Sequence, residues 1–253
     1  MRRNFPWSPI TLVHLPDDDE PEPSMDQPMN LRSPHRPIRV GVILVNSKTE
    51  ILDVAPVDIF SALSKEFLHN YPAHMISDAR KEQALECEFH WVTETGRPGR
   101  LTAGAVVQAT HSFITCPPLD IALMGAHDST YALSRAEIDF VKKTHDGCLA
   151  FLFVCGGFQA ALQSGLLEDK TATAPRPMIE WLRRNNSEVD WVTRRWARDG
   201  KVWTSGALLN GIDMTKAFVE EIWGGPGTLA DFSLRSGGYP DRDVNYADVQ
   251  GEL

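Results

Sequence analysis

The chain has 253 residues, 42% of them hydrophobic and 23% charged, a composition that excludes wholesale disorder and supplies a core for one to two domains at about 150 residues each. With 25 Lys+Arg against 34 Asp+Glu the net charge is -9, which excludes the basic face a nucleic-acid binder needs and disfavours anionic lipid surfaces. No apolar run approaches the ~18 residues needed to cross a bilayer.

In chain order, residues 1–36 form a separate compositional zone. They hold seven of the 17 prolines and the acidic run Asp17-Asp18-Asp19-Glu20. Such a segment predicts a poorly ordered or draped arm. Phe5, Trp7, Ile10, Leu12 and Val13 are its apolar residues, suited to docking on the body or on a second subunit. The Met-Arg-Arg start leads into Pro- and polar-rich sequence, so a secretory leader is not expected.

Residues 38–45 (IRVGVILV) read as a central strand buried on both faces. Asp53 follows shortly, and Pro56 sits where a helix over the next residues would begin. Residues 69–86 are polar and carry no readable pattern. Residues 89–92, 106–109, 119–124, 149–154 and 202–204 read as further strands. Ser134, with Glu137 three residues on, predicts a capped helix through Lys143. Helices are also expected over 156–167 and 207–223. Alternating strands and helices define an α/β domain over residues 37–235, with a doubly wound, mostly parallel sheet flanked by helices. Residues 236–253 read as a C-terminal tail.

Four cysteines, Cys87, Cys116, Cys148 and Cys155, are too few for a disulfide scaffold, and no pair has CxxC spacing. A reducing, cytoplasmic setting is expected. The histidines and cysteines show no metal-ligand spacing, so neither metal nor cofactor is expected. The glycine-rich Trp223-Gly224-Gly225-Pro226-Gly227 follows a helix and fails the context test for phosphate binding.

The chemistry concentrates at Phe153-Val154-Cys155-Gly156-Gly157. A buried strand runs into a helix with cysteine at the corner, the layout of a nucleophile elbow with sulfur in place of oxygen. The helix N-terminus there is expected to lower the thiol pKa. For Cys87, Cys116 and Cys148 the structural reading stands. Met124-Gly125-Ala126-His127 ends another strand in small residues. Its backbone N–H groups, with that of Gly156, could form an oxyanion hole, although an ordinary strand-to-loop turn has the same pattern. His127 reads as a surface loop residue ahead of an acid/base. Asp53 is either a helix-entry acid or, if buried beside the thiol, an acid of raised pKa able to relay a proton.

Taken as an ordered set, residues 41–44, 51–60, 107–120, 154–156, 164–167, 203–206 and 211–213 resemble the ThiJ/PfpI superfamily, the clan that includes DJ-1. Within it the likeness is to the isonitrile hydratase branch and covers residues 38–230. The resemblance implies a flavodoxin-like three-layer sandwich, a homodimer and a small-molecule substrate. It implies Cys155 as nucleophile, Asp53 as the acid beside it, and Gly125-Ala126 in place of a Gly-Gly oxyanion turn. Two departures stand out. Gly156 occupies a place usually held by threonine, and Thr173-Ala174-Pro175-Arg176 replaces a Thr-Thr-His-Trp pattern. Both changes predict a larger, more apolar space near Cys155. A diverged tailoring enzyme (cyclase, isomerase or lyase) and a redox-sensing or ligand-binding protein are the alternatives to a hydratase.

Overall fold

The computed structural model describes residues 28–69, 71–72 and 74–249. The apolar positions proposed for docking, Phe5 to Val13, lie outside them.

The elements in chain order are β1 (Ile38–Leu44), β2 (Lys48–Thr49), α1 (Ile51–Val54), α2 (Val57–Ser61), α3 (Lys65–Leu68), α4 (Asp78–Lys81), β3 (Cys87–Thr93), β4 (Gly99–Leu101), β5 (Val106–Val107) and β6 (His111–Ser112). They continue with β7 (Ile121–Met124), α5 (Arg135–Gly147), β8 (Ala150–Phe153), α6 (Phe158–Gln163), β9 (Thr171–Ala172), α7 (Arg176–Asn185), β10 (Asp190–Trp191), β11 (Trp196–Asp199), β12 (Val202–Ser205), α8 (Asn210–Trp223) and α9 (Leu229–Ser236).

Seven strands form the main sheet in the order β11-β12-β8-β7-β1-β3-β6. Every pairing is parallel except β11 with β12. The central strands β7 and β8 are buried throughout, which is why they are written in unbroken apolar residues. Val40, Val42 and Leu44 face one apolar cluster with Phe60, Trp203 and Phe218, while Ile43 and Val45 face the other with Phe140, Phe151 and Phe158. This alternation places helices on both faces of the sheet, the doubly wound flavodoxin-like architecture expected from the sequence.

The capping box at α5 forms as written: the Glu137 N–H donates to Ser134 Oγ at 3.2 Å, and the Ser134 N–H donates to Glu137 Oε2 at 2.7 Å. The same carboxylate is buried and accepts the Asn46 N–H at 2.7 Å, fixing the exit of β1 to the start of α5.

Several boundaries differ from the sequence reading. The helix expected over 156–167 opens as a single 3₁₀ turn, Cys155–Gly157, and continues as α6 to Gln163. It stops there because the chain turns at Gly165 with φ of 68°. The expected strand over 106–109 reduces to β5, which pairs outside the main sheet with β4. The expected helix over 207–223 begins at Asn210. Strands β6 and β11, which the sequence reading does not contain, close the two edges of the main sheet.

The segment 28–36, assigned to the arm, packs on the body. Leu31 is buried in the core, and its carbonyl accepts the Trp223 indole N–H at 2.7 Å. Arg36 forks onto Asp120 at 2.8 and 2.9 Å, and Asp120 also accepts the Arg39 N–H. The tail is fastened as well: Arg242 pairs with Asp213 at 2.6 Å and Arg195 with Asp248 at 2.9 Å.

Candidate active site

The corner between β8 and α6 forces Cys155 into the left-handed region, with φ of 54°. A non-glycine residue held there is strained, and the surroundings must over-determine it. Two contacts do so. The Cys155 N–H donates to Ser205 Oγ at 3.4 Å, and the Gly157 N–H donates to the Val154 carbonyl at 2.8 Å. A Cβ on Gly157 would run into the Met124 carbonyl oxygen, so the elbow packs directly on the end of β7. The strand-to-helix corner expected at Cys155 is therefore present, with Cys155 at its strained position.

Asp53 sits in α1, fully buried, and one of its carboxylate oxygens accepts the Ala126 N–H at 2.8 Å. Its other oxygen, Oδ1, has no conventional partner and shares its surroundings with the Cys155 thiol. Gly125 permits the approach, since a Cβ there would lie 2.7 Å from Asp53 Cβ. Glu50 completes the group: one carboxylate oxygen each from Glu50 and Asp53 and the Cys155 sulfur all lie within 4.8 Å of one another. The sequence reading did not single out Glu50, and only the neighbouring Asp53 could have drawn attention to it. Three potential metal-donor atoms converge here and nowhere else among the described residues.

The electrostatics follow from burial. Desolvation, reinforced by Glu50, raises Asp53 to about 7, against the opposing pull of the Ala126 amide and the Cys155 thiol. Burial, and then the Asp53 charge, push the Cys155 thiol up to about 11. The expected lowering of this thiol is not met. The 3₁₀ turn and six-residue helix behind it bring little dipole, and the backbone N–H groups of Leu208 and Gly156 only partly offset desolvation. Burial likewise pushes up the thiols of Cys87, Cys116 and Cys148, in keeping with structural roles.

Ala126 and His127 also differ from expectation. The Ala126 N–H orients Asp53, so it is not free to serve an oxyanion. His127 is buried, not a surface loop residue. Its Nδ1 lies 3.1 Å from the Asp128 carbonyl, its Nε2 has no partner, and its ring meets Tyr131 edge-on. Burial lowers its pKa, and no hydrogen bond joins it to Cys155 or Asp53. Nor does Gly156 leave open space: a Cβ there would lie 3.0 Å from the Ala126 methyl. The methyl at 126 fills the room that the missing side chain at 156 would have taken.

Where a Thr-Thr-His-Trp pattern was lost, Thr173 is buried and serves the fold: its N–H donates to Thr204 Oγ1 and its hydroxyl to the Val192 carbonyl, both at 2.8 Å. Arg176 and Arg195 each stack on Tyr246, whose hydroxyl donates to Asn210 Oδ1 at 2.9 Å. The C-terminal segment thus lies beside Gly206, next to the serine that holds the elbow. Nothing in the local sequence of residues 236–253 signals this.

A buried cysteine at the carboxyl edge of a doubly wound sheet, beside an acid of raised pKa, defines a flavodoxin-like protein with a candidate thiol site. No family model matches the sequence, and no curated protein does. Among solved structures, the chain is similar to a ThiJ/PfpI family protein from Pseudomonas syringae (TM-score 0.63, 16% identity, covering 84% of this chain and 79% of that one). It is also similar to Drosophila melanogaster DJ-1beta (TM-score 0.62, 12% identity, 81% and 100% covered). An AraC family transcriptional regulator from Pseudomonas putida matches at TM-score 0.58 and 15% identity, with 79% and 99% covered. The protein has the fold of the ThiJ/PfpI and DJ-1 superfamily. No helix among the described residues is long and apolar enough to cross a membrane.

Proposed function

We propose that the protein is a cysteine-dependent enzyme acting on a small molecule, with isonitrile hydration as its reaction. The observation that carries this reading is the Glu50–Asp53–Cys155 cluster, with the sulfur at a strained corner and a carboxyl of pKa about 7 within 4.8 Å. A carboxyl near neutrality can take the thiol proton and return it within one turnover. Asp53 accepts the proton of Cys155, and the thiolate attacks the terminal isonitrile carbon. Protonated Asp53 delivers its proton to that carbon, leaving a thioimidate. Water adds to the thioimidate carbon, the C–S bond breaks, and an N-substituted formamide leaves with the thiol restored. The N–H groups of Leu208 and Gly156 stabilise the sulfur while it carries charge.

The test is product analysis. Incubation with aliphatic and aryl isonitriles should give the matching formamides by mass spectrometry, and Cys155→Ala should give none while retaining its fold. Formamide formed equally by Cys155→Ala would overturn the reading. The exchange of bulk between residues 126 and 156 favours the tailoring-enzyme alternative, because it keeps the pocket apolar where a hydroxyl is usual.

The expected homodimer has a face suited to it. Ile51, Leu52 and Val106 are 37%, 46% and 60% exposed, and Ile51 is tied to the hairpin carrying Val106 by its N–H to Thr102 Oγ1 at 3.1 Å. Sedimentation should give a dimer, and Leu52→Glu should shift it to monomer. An unchanged dimer in that variant would place the interface elsewhere.

A further inference from the structure

Among the described residues five non-glycine positions have a positive φ, and three of them stand in one chain of contacts: Cys155 at 54°, Leu208 at 45° and Tyr246 at 62°. Backbone held in that region is strained, persists only where its surroundings over-determine it, and gathers at active sites and switch regions. The contacts run from the surface inwards. The Tyr246 hydroxyl donates to Asn210 Oδ1 at 2.9 Å, at the first residue of α8. The Asn210 N–H donates to the Ala207 carbonyl at 3.0 Å, so Asn210 closes the 206–209 turn. Arg242 donates to the Leu209 carbonyl of the same turn at 3.1 Å while it pairs with Asp213. On the inner side, the Leu208 N–H reaches the Cys155 thiol, and Ser205, just ahead of the turn, holds the Cys155 N–H.

Leu208 and Leu209 are exposed on this turn, whereas Cys155 inside it is only 9% exposed. The turn therefore covers the sulfur. What fixes it from outside is the C-terminal segment. The Arg176 and Arg195 guanidiniums each lie 4.7 Å from the Tyr246 ring, and the Arg195 N–H donates to the Val244 carbonyl at 2.8 Å. No residue of 240–248 is fully buried. Polar contacts and ring stacking hold the segment, and a segment without apolar burial opens at lower free energy than the core.

We propose that the 206–209 turn is the gate of the Cys155 site and that the C-terminal segment, through Tyr246 and Arg242, is the latch that positions it over the sulfur. The proposal rests on Cys155 as the reactive group, not on isonitrile as its substrate. Releasing the latch lets Leu208 relax and admits water to the thiol. Burial is the largest cause holding that thiol up, so opening makes it more acidic as well as more accessible.

The experiment is alkylation of Cys155 by iodoacetamide across pH, followed by mass spectrometry of the Cys155 peptide in the full chain. Tyr246→Phe deletes the hydroxyl and keeps the ring between the two guanidiniums. Arg242→Gln deletes the contact to Leu209. Each should raise the alkylation rate at about pH 8 by about threefold, and the double variant by about tenfold, with the pH profile moved to lower pH. Asp241→Asn cuts the contact of the segment with Lys216 instead and should leave rate and profile unchanged. Circular dichroism checks that each variant is folded. An unchanged rate or an unmoved profile in the double variant would overturn the proposal, as would equal acceleration by Asp241→Asn. Alkylation needs no turnover, so these results stand apart from the outcome of the formamide assay.

Discussion

Asp53→Asn should stabilise the protein at high pH while disabling it. Burial pushes the Asp53 carboxyl up to about 7 in the folded chain from its ordinary 3.8, because folding strips water from it. Between those values the folded state holds a proton that the unfolded state has released. Stability therefore falls as pH rises through that window and stays at the lower level above it. A shift of about three pH units corresponds to at most about 4 kcal/mol, and relaxation around the charge makes about half of that a fair expectation. Asparagine is close in shape to the protonated acid, and its carbonyl can still accept the Ala126 N–H. The variant should match the native protein below about pH 4 and exceed it by about 2 kcal/mol, or about 4–8 °C in Tm, at about pH 9. Turnover of isonitrile should fall at least about a hundredfold with the acid/base group gone. Because the Asp53 charge is the second cause raising the Cys155 thiol, iodoacetamide should alkylate Cys155 faster in the variant at about pH 8–9. A Tm difference that did not change with pH would show that Asp53 is not the buried, proton-holding group described here.

What the sequence disclosed about this site and fold depended on how local each cause is. The β-branched run 38–45 and the apolar runs ending at Met124 and Phe153 announce buried parallel strands because both faces of each must be covered. Ser134 and Glu137 announce a helix start because both partners of the capping box lie within one turn. Cys155 with two following glycines announces the elbow because the strain is a property of that corner. Other features rest on contacts distant in sequence. Glu50 gains importance only when α1 is laid against β7 and Cys155 is brought beside it, and Ser205 only when β12 is placed next to that corner. Leu31 and Arg36 look like part of a Pro-rich arm until Trp223 and Asp120 are brought to them. The short helix α4 in residues 69–86 has no buried residues of its own, so no apolar periodicity could reveal it. The thiol pKa is illegible in sequence for a similar reason: a helix start is visible there, but the desolvation that outweighs it is set by the whole core.

Residues 126 and 156 should behave as one unit. Gly156→Thr alone places a Cβ 3.0 Å from the Ala126 methyl and 3.4 Å from its Cα, and this crowding should cost about 1–3 kcal/mol. Ala126→Gly alone removes a buried methyl and should cost about 1 kcal/mol. Combined, the two changes exchange the positions of bulk and void. The double variant should then be more stable than the sum of the single changes predicts by about 1–2 kcal/mol, read from denaturant midpoints. Additive costs would mean that the two positions do not share space. The same pair bears on function. The double variant restores a glycine turn and a hydroxyl directly after the nucleophile, the arrangement of the isonitrile hydratase pattern that this chain resembles. If Cys155 hydrates isonitriles, formamide production by the folded double variant should exceed that of the native protein, because the hydroxyl can hold the attacking water. If its substrate is a larger apolar molecule, the added polar group should leave formamide production unchanged. One set of four proteins thus separates a packing exchange from a change of substrate.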